Sequence, residues 1–180
     1  VEEAKTNKLS SDIIDRLVLD GERVKSMSQA IKEIAAQKEP VGRLLDGWKT
    51  KNDLNIQKVS IPIGVIAIIY ESRPNVTSDA AALCFKAGNV CVLKGGKEAI
   101  HSNKAIENIL RSVLAKNKIS ENAISLLSDS SREAVAQLIK EDKYVDLVIP
   151  RGGSALINFI SKNATVPVIK HDKGLCHTYI

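Results

Sequence analysis

Three short polar stretches hold the residues of this sequence best suited to binding an anionic ligand. They are Glu71-Ser72-Arg73-Pro74-Asn75, Lys94-Gly95-Gly96-Lys97-Glu98 and Arg151-Gly152-Gly153-Ser154. Each follows an apolar run and opens a helical pattern, so free amides at a helix N-terminus can meet an anion. In the second, two glycines let backbone approach a ligand while two lysines supply charge, a combination suited to ribose hydroxyls or phosphate. In the third, Ser154 is placed to cap the following helix. Plain structural roles account for the same residues: a capped turn with Arg73 paired to Glu71, and a tight turn with a good cap at 151–154.

The second stretch is not a phosphate-binding P-loop, because Cys91 and Glu98 stand where that motif needs Gly and Ser or Thr. The dinucleotide fingerprint G-x-G-x-x-G is missing too. Where an NAD-binding loop would offer a carboxylate to the ribose 2′-hydroxyl, this loop offers Lys97, which attracts a 2′-phosphate and points to NADP. Glu98 beside it leaves NAD as the alternative. Cys176-His177 suggests a nucleophile and its base. In an extended strand, however, adjacent side chains point to opposite faces, so the pair cannot share a hydrogen bond and Cys176 reads as a packed thiol. His101 and His171 lack ligand-like neighbours, and no His/Cys/carboxylate cluster has metal-ligand spacing.

These stretches need rigid elements to hold them, and the apolar pattern supplies them. Residues 13–19 read as a helix capped at Ser10, Ser11 or Asp12 and broken at Gly21. Val24, Met27, Ile31 and Ile34 then recur at helical spacing up to Pro40. Residues 41–51 read as a connector in which Trp48 is a packing anchor. Residues 56–61 alternate as a strand, and 63–70 are almost continuously apolar, as a strand covered on both faces must be. Val76, Ala80, Leu83, Cys84 and Ala87 share a helical face ending at Gly88. Ile100, Ile106, Ile109, Leu110, Val113 and Leu114 form a second such stripe. Strands are expected at 90–93, 123–127, 145–149, 165–169 and 175–180, with helices at 131–141 and around Ala155, Leu156, Phe159 and Ile160.

This alternation specifies an α/β fold: a Rossmann-like open parallel sheet with helices on both faces, preceded by N-terminal helices. Residues 1–54 are the helices and connector, and 55–180 the nucleotide-binding domain. Ligands of such sheets lie beyond the carboxyl ends of the strands, where the three polar stretches fall.

Composition narrows the function classes. The 180 residues carry 26 Lys+Arg against 21 Asp+Glu, a net +5, and are 44% apolar, which suits a globular domain and argues against disorder. The longest apolar run is interrupted by Pro62 and Gly64 and is about half the ~20 residues needed to span a bilayer. Scattered aromatics and lysines offer no nucleic-acid platform. The three cysteines Cys84, Cys91 and Cys176 lack C-x-x-C spacing and read as reduced thiols. The chain begins at Val1 in a charged stretch, so a preceding segment is expected.

Four pieces in order, Ile-Tyr-Glu-Ser-Arg-Pro-Asn-Val-Thr (69–77), Leu-Lys-Gly-Gly-Lys-Glu-Ala (93–99), Pro-Arg-Gly-Gly (150–153) and Gly-Leu-Cys-His-Thr-Tyr (174–179), closely resemble the γ-glutamyl phosphate reductase family of the aldehyde dehydrogenase superfamily. The resemblance runs from about residue 9 to the end. It implies NADPH-dependent reduction of L-glutamyl 5-phosphate to glutamate 5-semialdehyde and phosphate in proline biosynthesis. It also implies a cytoplasmic enzyme that is homo-oligomeric when complete, with glutamate kinase as functional partner or fusion. In the family mechanism a cysteine thiolate attacks the acyl carbon, phosphate leaves, and hydride from the nicotinamide reduces the thioester. Lys94 matches the lysine holding the adenosine ribose, and Lys97, beside Gly96, the position where NAD-preferring relatives carry Glu. Glu71, Ser72, Arg73 and Pro74 match the joint lining the nicotinamide side. Arg151, Gly152, Gly153 and Ser154 match the turn near the pyrophosphate. The nucleophilic cysteine is expected beyond Ile180, so Cys176 is the weaker candidate and the chain is expected to be a cofactor-binding fragment, inactive by itself. The alternatives are another aldehyde dehydrogenase-like oxidoreductase and a non-catalytic nucleotide- or anion-binding module.

Overall fold

The computed structural model describes residues 10–170. Two helices lead in, α1 (Ser11–Leu17) and α2 (Gly21–Ala36). Gly21, expected to break the chain, is the first residue of α2, because the Asp20 carboxylate caps that helix by accepting the Arg23 N–H at 2.8 Å. The expected connector is a strand: β1 (Leu44–Lys49) pairs antiparallel with β2 (Asn55–Val59), Trp48 standing opposite Ile56. This pairing crosses the 54/55 division. Trp48 is 52% exposed and anchors no core, since every residue of β1 is exposed and the ribbon has no layer over it among the described residues.

The main sheet is parallel. It consists of β3 (Val65–Tyr70), β4 (Val90–Lys94), β5 (Ile124–Leu126) and β6 (Leu147–Arg151), in spatial order β5-β4-β3-β6. The apolar run of β3 is explained by its central place. Ile66, Ile68 and Tyr70 enter one core with Ala81 and Cys84 of α3 (Pro74–Lys86) and Leu114 of α4 (Ile100–Lys116). Ala67 and Ile69 enter the other with Val135 and Leu138 of α5 (Arg132–Leu138) and Ile160 of α6 (Ser154–Asn163). Each fully buried aliphatic residue of this kind contributes about 2 kcal/mol of transfer free energy.

Three expectations need correcting. β6 does not end before Pro150 but continues to Arg151; the missing Pro N–H is tolerated because β6 is the last strand of the sheet. Residues 165–169 do not form a strand and contribute a single bridge, Val148 to Val168. Two helices are also rotated from the apolar stripes read in sequence. α4 buries Leu114 of the expected stripe together with Asn103 and Glu107, while Ile109 and Val113 are exposed; α3 buries Ala80 and Cys84 as expected together with Thr77, Ser78 and Ala81, while Leu83 is exposed. Specific bonds turn those faces inward: Glu107 Oε1 accepts the Leu126 N–H at 2.9 Å and Asn103 Oδ1 accepts the Thr77 hydroxyl at 3.0 Å. The expected strand at 175–180 lies outside the described residues.

Candidate functional site

The strand order reverses at β3. β4 lies on one side and β6 on the other, which makes the carboxyl end of β3 a topological switch point. Three consecutive residues there reach three different partners. Tyr70, the last residue of β3, turns into the core beneath the 94–98 loop; its hydroxyl lies 2.7 Å from Thr77 Oγ1, and burial raises its pKa to about 12. Glu71 turns toward β6: its N–H donates to the Arg151 carbonyl at 3.3 Å and its Oε1 accepts the Gly153 N–H at 2.8 Å. Ser72 turns toward β4, its Oγ donating to Glu98 Oε2 at 2.7 Å. The first stretch thus touches each of the other two.

Close approach explains the glycines. A Cβ at Gly152 would lie 2.9 Å from the Glu71 side chain, and one at Gly96 would lie 2.7 Å from Ser72 Oγ. Ser154 is not the expected cap. It is the first residue of α6, and the N-cap is Gly153, which has no side chain to offer. The missing acceptor comes from across the sheet, as the Glu71 carboxylate. Glu71 is therefore engaged with α6 and not paired to Arg73.

Arg73 occupies the N-cap position of α3 with Pro74 at the first turn, where a missing N–H costs nothing. It lies between two cavities. One, of about 1040 Å³, runs along the sheet over Ile68 and Ile149 and is also lined by Glu71, Arg151, Gly152 and Gly153. The other, of about 400 Å³, brings Arg16 and Arg23 of the N-terminal segment beside Arg73. No local signal in the sequence places those arginines here.

Lys94 is 6% exposed and donates from Nζ to the Gly95 carbonyl at 3.0 Å. Burial lowers its pKa, while Asp129 and Glu98 oppose that shift. Asp129 belongs to the turn before α5, and its own pKa is lowered by the Ser131 N–H that donates to it. Its nearness to Lys94 was missed because the Asp-Ser-Ser sequence reads only as a helix start. Lys97 is exposed at the head of a short 3-10 turn, Lys97–Ala99.

The arrangement offers groups suited to an anion on two sides of the β3 end. Glycine backbone lies on both sides of the β3 end, a buried lysine on one side and a helix N-terminus on the other. The one obstruction is the Glu71 carboxylate, which occupies that helix end. The 94–98 loop and the 151–154 turn do not line one cavity; Tyr70, Glu71 and Ser72 link them.

Of the cysteines, Cys84 and Cys91 are buried thiols in the sheet–helix core, and the hydrogen bond between them together with burial raises the Cys91 pKa. Cys176 and its neighbour His177 lie outside the described residues. Among the described residues no three His, Cys, Asp or Glu side chains group to hold a metal, and no helix is long and apolar enough to cross a membrane.

No protein-family model matches the chain. A γ-glutamyl phosphate reductase of Aliarcobacter butzleri is 67% identical over 178 residues, covering 99% of this chain and 43% of the relative. The crystal structure of a γ-glutamyl phosphate reductase from Thermotoga maritima superposes with a TM-score of 0.91 at 41% identity, covering 93% of this chain and 40% of that one. The fold extends to a probable aldehyde dehydrogenase from Listeria monocytogenes, with a TM-score of 0.66 at 23% identity over 79% of this chain and 31% of that one. The chain spans less than half the length of the relatives it matches. With two-thirds identity along nearly all of its residues and the fold of a solved example, the chain is similar throughout to a part of γ-glutamyl phosphate reductases.

Proposed function

We propose that this chain holds NADPH for a reductase that converts L-glutamyl 5-phosphate to L-glutamate 5-semialdehyde and phosphate in proline biosynthesis. The observation that carries the reading is the meeting of three anion-suited stretches around Tyr70, Glu71 and Ser72 at the switch point, in a chain so similar to named γ-glutamyl phosphate reductases. The cofactor would supply hydride to an acyl group. The chain's own residues bind and orient it: Lys94 takes the adenosine ribose, exposed Lys97 the 2′-phosphate, and Gly152, Gly153 and Ser154 the pyrophosphate. Glu98, drawn inward by Ser72, keeps its charge away from the 2′-phosphate position. Glu71, Ser72, Arg73 and Pro74 line the nicotinamide side, and Arg151 belongs with the pyrophosphate turn. Residues 55–180 are the cofactor-holding unit, preceded by the helices and connector of residues 1–54.

Acyl transfer falls to a cysteine beyond Ile180, so these residues by themselves bind cofactor and turn over no substrate. The complete reductase is proposed to be cytoplasmic and homo-oligomeric and to receive its substrate from a glutamate kinase. Calorimetric titration of the chain with NADPH and NADH, repeated with Lys97→Glu, tests the reading. The expected result is a preference for NADPH that falls about tenfold or more in the variant, a loss of about 1.4 kcal/mol in discrimination. Absence of NADPH binding, or an unchanged preference, overturns it.

A further inference from the structure

Beneath the 94–98 loop lies a buried polar chain to which the proposed reading gives no role. Tyr70 OH, Thr77 Oγ1 and Asn103 Oδ1 are joined by hydrogen bonds of 2.7 and 3.0 Å, and Thr77 and Asn103 are 0% exposed. The chain stops at the other end of the Asn103 amide. Nδ2 is buried and has no hydrogen-bond partner. It lies against Gly95, so close that a Cβ added to that residue would collide with it. An unpaired buried donor costs about 1–3 kcal/mol, so its presence calls for a state in which it is paired.

The loop above supplies the acceptor. The Gly95 carbonyl is held by Lys94 Nζ, the same ammonium that the cofactor reading assigns to the adenosine ribose. An ammonium turned toward a ligand releases that carbonyl. The peptide joining Gly95 to Gly96 can rotate, because neither residue carries a Cβ. The carbonyl then needs a donor, and Asn103 Nδ2 is the unpaired donor beside Gly95.

We infer that Asn103 is a positioning residue for the cofactor loop: when Lys94 leaves the Gly95 carbonyl for a ligand, Asn103 Nδ2 donates to that carbonyl and holds the loop in its bound form. The inference rests on the assignment of Lys94 to the cofactor. It adds that the buried amide, through Thr77 and Tyr70, ties the bound loop to the end of β3. The unpaired donor makes the empty loop less stable than it could be, and ligand binding relieves that penalty.

The test uses the full 180-residue chain labelled with nitrogen-15 and titrated with NADPH. The Asn103 side-chain amide resonances are expected to move downfield and to become protected from solvent exchange as cofactor binds. A triple variant, Asn103→Leu with Thr77→Val and Tyr70→Phe, removes the whole polar chain and leaves no buried hydroxyl of it without a partner. It is expected to melt no lower than the unaltered chain, yet to bind NADPH and adenosine 2′,5′-bisphosphate about tenfold more weakly, with nicotinamide mononucleotide binding unchanged. NADPH-induced shifts at 151–154 without any change at Asn103 Nδ2 overturn the inference and leave the cofactor reading standing. Equal weakening of nicotinamide mononucleotide also overturns it, since that marks a general loss of structure. No NADPH-induced shift anywhere overturns the cofactor reading and the inference together.

Discussion

Replacing Glu71 by Gln removes one negative charge from the N-terminus of α6 while keeping an oxygen that can accept the Gly153 N–H, which now donates to Glu71 Oε1 at 2.8 Å. A charge at a helix N-terminus is worth about 0.3–1 kcal/mol, and Glu71 is exposed, so the variant should lose about 0.5 kcal/mol of folding stability. Cofactor binding responds in the opposite direction. A pyrophosphate at the same helix end must displace the carboxylate or share the site with it. Two unit charges about 4 Å apart in water repel by about 1 kcal/mol, and the helix interaction that Glu71 gives up adds to this. Together these come to about 1.5 kcal/mol, so Glu71→Gln is expected to bind NADPH about tenfold more tightly. Calorimetric titration at low salt, where exposed charges are least screened, gives the affinity, and urea unfolding gives the stability. Weaker NADPH binding in the variant would refute the reasoning, because it would mean that the Glu71 charge holds the cofactor instead of standing in its place.

Two further outcomes follow from buried groups of the same region. Tyr70 has a folded-state pKa of about 12 against an ordinary value of 10.0, so the folded chain holds its proton longer than the unfolded one. The stability it confers is complete below about pH 10 and lost as pH rises toward 12, a fall of about 2 kcal/mol. Chemical unfolding at several alkaline pH values should show a shallower decline in Tyr70→Phe, and equal slopes would rule the assignment out. Glu107 is 3% exposed, with Oε1 accepting the Leu126 N–H and Oε2 taking Lys104 Nζ at 2.6 Å. Glu107→Ala leaves the strand amide unpaired and should cost about 2–3 kcal/mol in urea unfolding, while Glu107→Gln should cost about 1 kcal/mol; equal losses would show that the acceptor is not what matters.

Much of this architecture was legible in the sequence because period and punctuation agree there. The unbroken apolar run of β3 could only belong to a strand covered on both faces, and Pro74 and Gly88 bracket α3. The polar stretches could be placed at strand ends for the same reason. What was not legible depends on contacts between distant residues. Nothing near Asn103 or Glu107 shows that they face inward, because their partners Thr77 and Leu126 lie 26 and 19 residues away. Residues 41–51 read as a connector since β1 is paired only with β2 and its side chains are exposed, so burial left no alternating imprint. The cap of α6 was misread at Ser154 because its acceptor is supplied by Glu71, 82 residues earlier.

The end of β3 works as a junction with addresses: Tyr70 leads down to the Thr77–Asn103 chain, Glu71 across to the 151–154 turn, and Ser72 across to the 94–98 loop. Because adjacent side chains of an extended strand alternate in direction, a single residue inserted or deleted after Ile69 would pass each address to its neighbour. The hydrophobic sheet could still assemble from residues 65–69, at the loss of the Tyr70 contribution to the core. Every connection of the candidate site would nevertheless reach the wrong partner. Drift in chain length at this point is therefore constrained by the wiring of the site more than by the packing of the core.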